Sequence, residues 1–157
     1  MKTLLLAAAL AVTSVTLSAQ ALPDLAGTWI ADAAKSDPAP AAARGGRGGN
    51  PNQLVITKSD VDLTVSQGGT GNYIYNLDGS ERSGPPGGET KSKMSVQGGM
   101  MVVTWKREYF AGPDKGYLTS TGRDTYTLAG GVLTVERTTN LPGQPPVTRK
   151  TVYNKAP

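Results

Sequence analysis

The sequence contains no cysteine and no histidine in its 157 residues. Those two absences exclude Ser-His-Asp and Cys-His nucleophiles, thiolate or imidazole metal sites, and any disulfide framework. Aromatics are few, with two Trp, six Tyr and one Phe, so each would supply a large share of any core. Charge of one sign is also lacking. A formal net charge of +4 is too mild to imply a polyanionic partner. No apolar run reaches the ~20 residues a membrane helix needs. What the chain has in quantity is glycine and proline, 20 and 11 residues, which punctuate it with turns.

The N-terminus reads as an address. Lys2 supplies a charge, residues 4–17 are apolar or weakly polar throughout, and Ser18-Ala19-Gln20-Ala21 follows with small residues spaced A-x-A. That order is the pattern of a secretory signal peptide over residues 1–21, cleaved after Ala21. No cysteine stands at the cleavage point to carry a lipid. The expected mature protein, residues 22–157, is exported, free of a membrane anchor, and one domain in size.

That domain reads almost wholly in period two. Strands are expected at residues 25–31, 54–57, 61–66, 72–77, 90–96, 100–107, 117–128, 132–138 and 147–154. Val61, Leu63 and Val65 point one way while Asp62, Thr64 and Ser66 point the other, as in a sheet with one wet face. Asp78-Gly79, Gln97-Gly98-Gly99 and Gly130-Gly131 supply hairpin turns. Gly122 falls within a long strand, where a missing side chain permits a bend. The only helix candidate, residues 32–36, is brief and stops before Pro38. Short strands joined by hairpins, with no crossover helices, predict an all-β fold. An antiparallel up-and-down barrel of about eight to nine strands is favoured over a sandwich, because closure hides the pairing edges.

Three segments fall outside that pattern. Residues 36–52 are rich in Pro, Ala and Gly and include Arg44-Gly45-Gly46-Arg47-Gly48-Gly49; residues 80–89 and 140–146 are rich in Gly and Pro. Each lacks the apolar residues that would offset its ordering entropy, so all three read as loops, the first a flexible one. The Arg-Gly-Gly run imitates a nucleic-acid segment. Two arginines without interleaved aromatics neutralise little phosphate, and no nucleic-acid partner is expected.

Asp24-Leu25-Ala26-Gly27-Thr28-Trp29 resembles the first-strand motif of lipocalins, fatty-acid-binding proteins and avidins. With Ala34-Lys35-Ser36, Tyr75-Asn76-Leu77-Asp78-Gly79 and Val152-Tyr153-Asn154-Lys155 in order, the chain is more narrowly similar to small exported bacterial proteins with a lipocalin-like domain and no settled function. It departs from them at Val96-Gln97-Gly98-Gly99, where that group often carries Trp before Asp-Gly. The resemblance implies a calycin-type barrel whose closed end is sealed by Gly27 and Trp29. A basic residue from the last strand, Arg149 or Lys150, would cover the indole.

Without His or Cys, acid–base work would fall to carboxylates, tyrosines and lysines. Glu108, beside Tyr109 and Arg107, is the densest polar cluster. Paired with Tyr73, Tyr75 or Tyr126 it could form a metal-free isomerase or decarboxylase site, as in some lipocalin-like barrels. A solvated strand end for Glu108 and core packing for the tyrosines is the simpler reading, and no enzyme is expected. Asp60 with Asp62, and Asp78 near Glu81, have too few ligands for a dedicated calcium site. No metal or cofactor is expected. The alternating aromatics either fill a small barrel or line its cavity. If a cavity remains, Tyr73, Tyr75, Trp105, Arg107 and Tyr126 are the candidate ligand-binding residues. Their mixed character suits an amphipathic or hydrophobic small molecule. The competing function is an interaction module or inhibitor that meets a protein partner through its Gly/Pro loops.

Overall fold

The computed structural model describes residues 21–38, 52–68, 71–84 and 89–157, with the backbone alone described at Glu89. All of the expected signal peptide but Ala21, and the Arg-Gly-Gly run, lie outside the described residues. The strands are β1 (Gly27–Ala31), β2 (Gln53–Lys58), β3 (Asp62–Gln67), β4 (Asn72–Asn76) and β5 (Arg82–Ser83), then β6 (Glu89–Gln97), β7 (Met100–Phe110), β8 (Tyr117–Ala129), β9 (Val132–Asn140) and β10 (Val147–Lys155). They form one antiparallel sheet in the order β4-β3-β2-β1-β10-β9-β8-β7-β6-β5. Pairing of β1 with β10 bends this sheet round, and β4 comes to rest against β5 and β6. The result is an up-and-down, nearly closed barrel.

Among the described residues it has ten strands, not eight to nine. The extra one is β5, two residues long, inside the segment expected to be loop. Its backbone pairs with Lys91 and Ser92 of β6, and its Arg82 closes the seam. The Arg82 Nη1 donates to Asp62 Oδ1 at 2.7 Å and to Asn76 Oδ1 at 2.9 Å, on β3 and β4. Side-chain bonds thus replace the missing β4–β5 ladder. Asp62 is thereby ion-paired with the Arg82 guanidinium.

Alternation works as a half-buried sheet demands. Leu54 and Ile56 on β2, and Leu63 and Val65 on β3, are buried, with their sequence neighbours wetter. Val61 departs from the expected pattern. It lies in the β2–β3 turn and is 68% exposed, because Ser59 Oγ accepts from the Asp62 amide at 2.9 Å and ends the strand there.

The two ends of the barrel differ in chemistry. At one, Trp29 is 1% exposed and its Nε1 donates to the Leu25 carbonyl at 2.9 Å. Lys155 lies opposite Trp29 in register and holds its Nζ 5.6 Å from the ring centroid. Gly27, at φ 136°, makes room: a Cβ there would stand 3.0 Å from Lys155 Cε. The cation over Trp29 is therefore Lys155, neither of the expected Arg149 and Lys150, which lie elsewhere on β10. Arg149 sits six residues back along β10, at the opposite end, where its guanidinium donates to the Pro38 carbonyl at 2.8 Å. That opposite end is the open one. The connections β1–β2, β3–β4, β5–β6, β7–β8 and β9–β10 all leave from it.

Candidate functional site

Period two decides which side chains enter the barrel, and register decides what they meet. On β7 the inward positions are 101, 103, 105 and 107; on β8 they are 120, 122, 124 and 126; on β9 they are 133, 135, 137 and 139. Toward the closed end these are Met101, Val103, Tyr126, Leu133 and Val135, packed into the core. Toward the open end they turn polar: Trp105, Arg107, Asp124, Arg137 and Thr139. Packing gives out there, and a cavity of about 220 Å³ remains, with Tyr73 and Tyr75 from β4 and Thr90 and Ser92 from β6 completing the wall.

Glycine shapes its floor. Gly122 stands opposite Trp105 in register. A Cβ at Gly122 would run into the indole and come within 2.6 Å of the Thr138 carbonyl oxygen. The long strand β8 runs unbroken through this glycine, so its main contribution is the space in which Trp105 lies flat across the strand. Cross-strand cover of a glycine by an aromatic is a recurrent device in sheets.

So placed, the Trp105 Nε1 donates to Asp124 Oδ1 at 3.1 Å. Asp124 is 1% exposed, a carboxylate inside the barrel. Arg137, directly opposite in register, satisfies it. Nε donates to Oδ1 at 3.0 Å and Oδ2 at 3.1 Å, and Nη2 donates to Oδ2 at 2.6 Å. Burial acts to lower the Arg137 pKa, but the hydrogen bonds and charge of Asp124 outweigh it, so the guanidinium stays charged. Burial raises the Tyr75 hydroxyl well above its ordinary value, helped by the Asp124 charge and opposed by Arg137. Burial raises Tyr126 likewise, with the neighbouring Tyr75 and Asp124 adding to it. Both phenols stay neutral at neutral pH.

Of the five residues expected to meet a ligand, Tyr73, Tyr75, Trp105 and Arg107 are brought together round this cavity. Tyr126 is not among the wall residues. It is 2% exposed and belongs to the packed layer beneath, so the tyrosines divide between filling and lining. The Glu108 constellation is not assembled. Glu108 alternates outward on β7, and its Oε1 lies 3.3 Å from Lys106 Nζ, two residues away on the same face. Sequence reasoning missed Asp124 and Arg137, although a signal existed. The Gly130-Gly131 turn pairs Ala129 with Val132, and counting back along both strands sets Asp124 against Arg137.

No protein-family model matches the chain, and no curated protein matches it in sequence. Among solved structures it is similar to a secretory abundant heat soluble (SAHS) protein from Ramazzottius varieornatus. The identity is 17% and the TM-score 0.57, over 88% of this chain and 100% of that one. That likeness extends to the fold, a nearly closed antiparallel barrel.

Proposed function

We propose that the protein is an exported carrier that binds a small amphipathic molecule reversibly inside the open half of its barrel. The observation that carries this reading is the cavity of about 220 Å³, walled by Tyr73, Tyr75 and Trp105 beside fixed charges. Aromatic faces set beside convergent polar and charged groups in one concavity give the mixed character that an amphipathic small molecule needs. Export rests on residues 1–21, whose charged start, apolar run and small-residue exit follow the order of a signal peptide.

Native mass spectrometry of the protein taken from its producing cell's exported fraction tests both parts. The carrier reading expects a chain beginning at Leu22 and a mass excess of up to a few hundred daltons that denaturation releases. An intact N-terminus would overturn export, and a clean apo mass with a protein attached would favour an interaction module. The second reading has one observation in its favour. At the tip of the β7–β8 hairpin, Phe110 and Tyr117 are 59% and 78% exposed, with ring centroids 5.5 Å apart.

A further inference from the structure

The charges round the cavity do not balance in function, although one pair of them does. Arg107, Asp124 and Arg137 are the charged groups in its wall. Both Asp124 oxygens are already taken by Arg137, and Oδ1 accepts from Trp105 as well. That pair neutralises itself. Arg107 remains, and among the described residues its guanidinium forms no ion pair. Arg149 adds a second cation at the same end. It lies opposite Arg137 in register, and the acceptor it has found is a neutral carbonyl. The cavity wall therefore presents one guanidinium, that of Arg107, with no ion pair among the described residues, while Arg149 is exposed outside that wall and the Asp37 carboxylate next to it accepts from the Lys150 amide.

Position along β7 orders the remaining chemistry. Trp105 is one inward step deeper than Arg107. A molecule entering from the open end would pass the cation first and reach the indole and the β4 tyrosines second. Size then limits what enters. An apolar cavity of about 150 Å³ holds benzene, so about 220 Å³ has room for one ring or a fused pair.

Resting on the carrier reading, we infer that the cavity takes a compact ring-bearing organic anion. Its ring would pack against Trp105 and Tyr73, and its acidic head would meet Arg107. Guanidinium recognises carboxylate in a planar, two-bonded geometry. The Tyr and Trp faces give the ring its apolar contact.

Isothermal titration calorimetry with three probes of one shape separates the parts of this inference. The probes are 1-naphthoate, 1-naphthalenemethanol and 1-naphthylmethylammonium. Naphthoate should bind at least tenfold tighter than the alcohol, and the ammonium more weakly than either. In Arg107→Gln the naphthoate affinity should fall to that of the alcohol. Arg123→Gln removes an equal charge from the outer face, where Arg123 donates to Gln97 Oε1, and should keep the preference. Equal binding of naphthoate and the alcohol would overturn the anion inference and leave the carrier reading standing. Failure of all three probes would overturn both. A preference that survives Arg107→Gln, or is lost in Arg123→Gln, would overturn the assignment to Arg107.

Discussion

Trp29→Ala should destabilise the protein by ~3–5 kcal/mol, the usual cost of truncating a large buried aromatic. Trp29 is 1% exposed, its Nε1 satisfies the Leu25 carbonyl, and the Lys155 ammonium stands over its ring. Removing the indole opens a cavity, frees a buried carbonyl and takes away the surface on which Lys155 rests. With no disulfide available to this chain, nothing covalent limits the damage. Thermal unfolding should show the midpoint fall by about 10 °C or more for a domain of this size. A midpoint within a degree or two of wild type would mean that Trp29 does not seal the closed end.

Arg137→Met should cost about as much, ~3–5 kcal/mol, for an electrostatic reason. Breaking a buried ion pair from one side strands the other charge in a poorly solvated place. The sides are unequal here. The Asp124 side chain is 2% exposed and the Arg137 side chain 41% exposed, so Asp124 is the charge that cannot be left alone. Asp124→Asn should be milder, because the stranded guanidinium still reaches the solvent of the cavity. The double variant should be more stable than Arg137→Met alone, since it removes the orphaned carboxylate along with its partner. Denaturant unfolding of the three variants reads that ordering directly. If Arg137→Met proved the mildest of them, the buried pair would not organise the cavity floor.

The legible part of this molecule was the part that depends on neighbours in sequence. Alternation of Leu63 and Val65 with Asp62, Thr64 and Ser66 marked two unlike faces of β3, and the glycine turns marked the hairpins at 98–99 and 130–131. β5 escaped because a two-residue strand has no period to read, and because Gly and Pro surround it. The closed end was legible only in half. Gly27 and Trp29 stand together on one strand, whereas the cation above them depends on how β10 slides along β1, a pairing between the ends of the chain. Arg149 and Lys155 share a parity on β10, so only the longitudinal register decides between them.

The same distinction governs the site. Parity set Tyr73 with Tyr75 on one strand face and Trp105 with Met101 and Val103 on another, without telling which face was interior or how deep each residue would lie. Depth separates Tyr126, packed in the core, from Trp105, at the cavity wall. Asp124 and Arg137 were overlooked because carboxylates look scattered along a sequence until a hairpin register brings one beside its cation. Gly122 read as a bend because nothing local shows that an indole 17 residues earlier lies across it.

The central claim is that the open half of the barrel binds a small molecule, and the two tryptophans allow one measurement to test it. Trp29 seals the closed end and Trp105 lines the cavity, so their indole N–H signals in a proton–nitrogen NMR spectrum report on opposite ends of one barrel. Adding 1-naphthoate should shift the Trp105 indole signal in a saturable way and leave that of Trp29 in place. A saturable response confined to the loop tips, with the Trp105 signal unmoved, would contradict a ligand site inside the barrel.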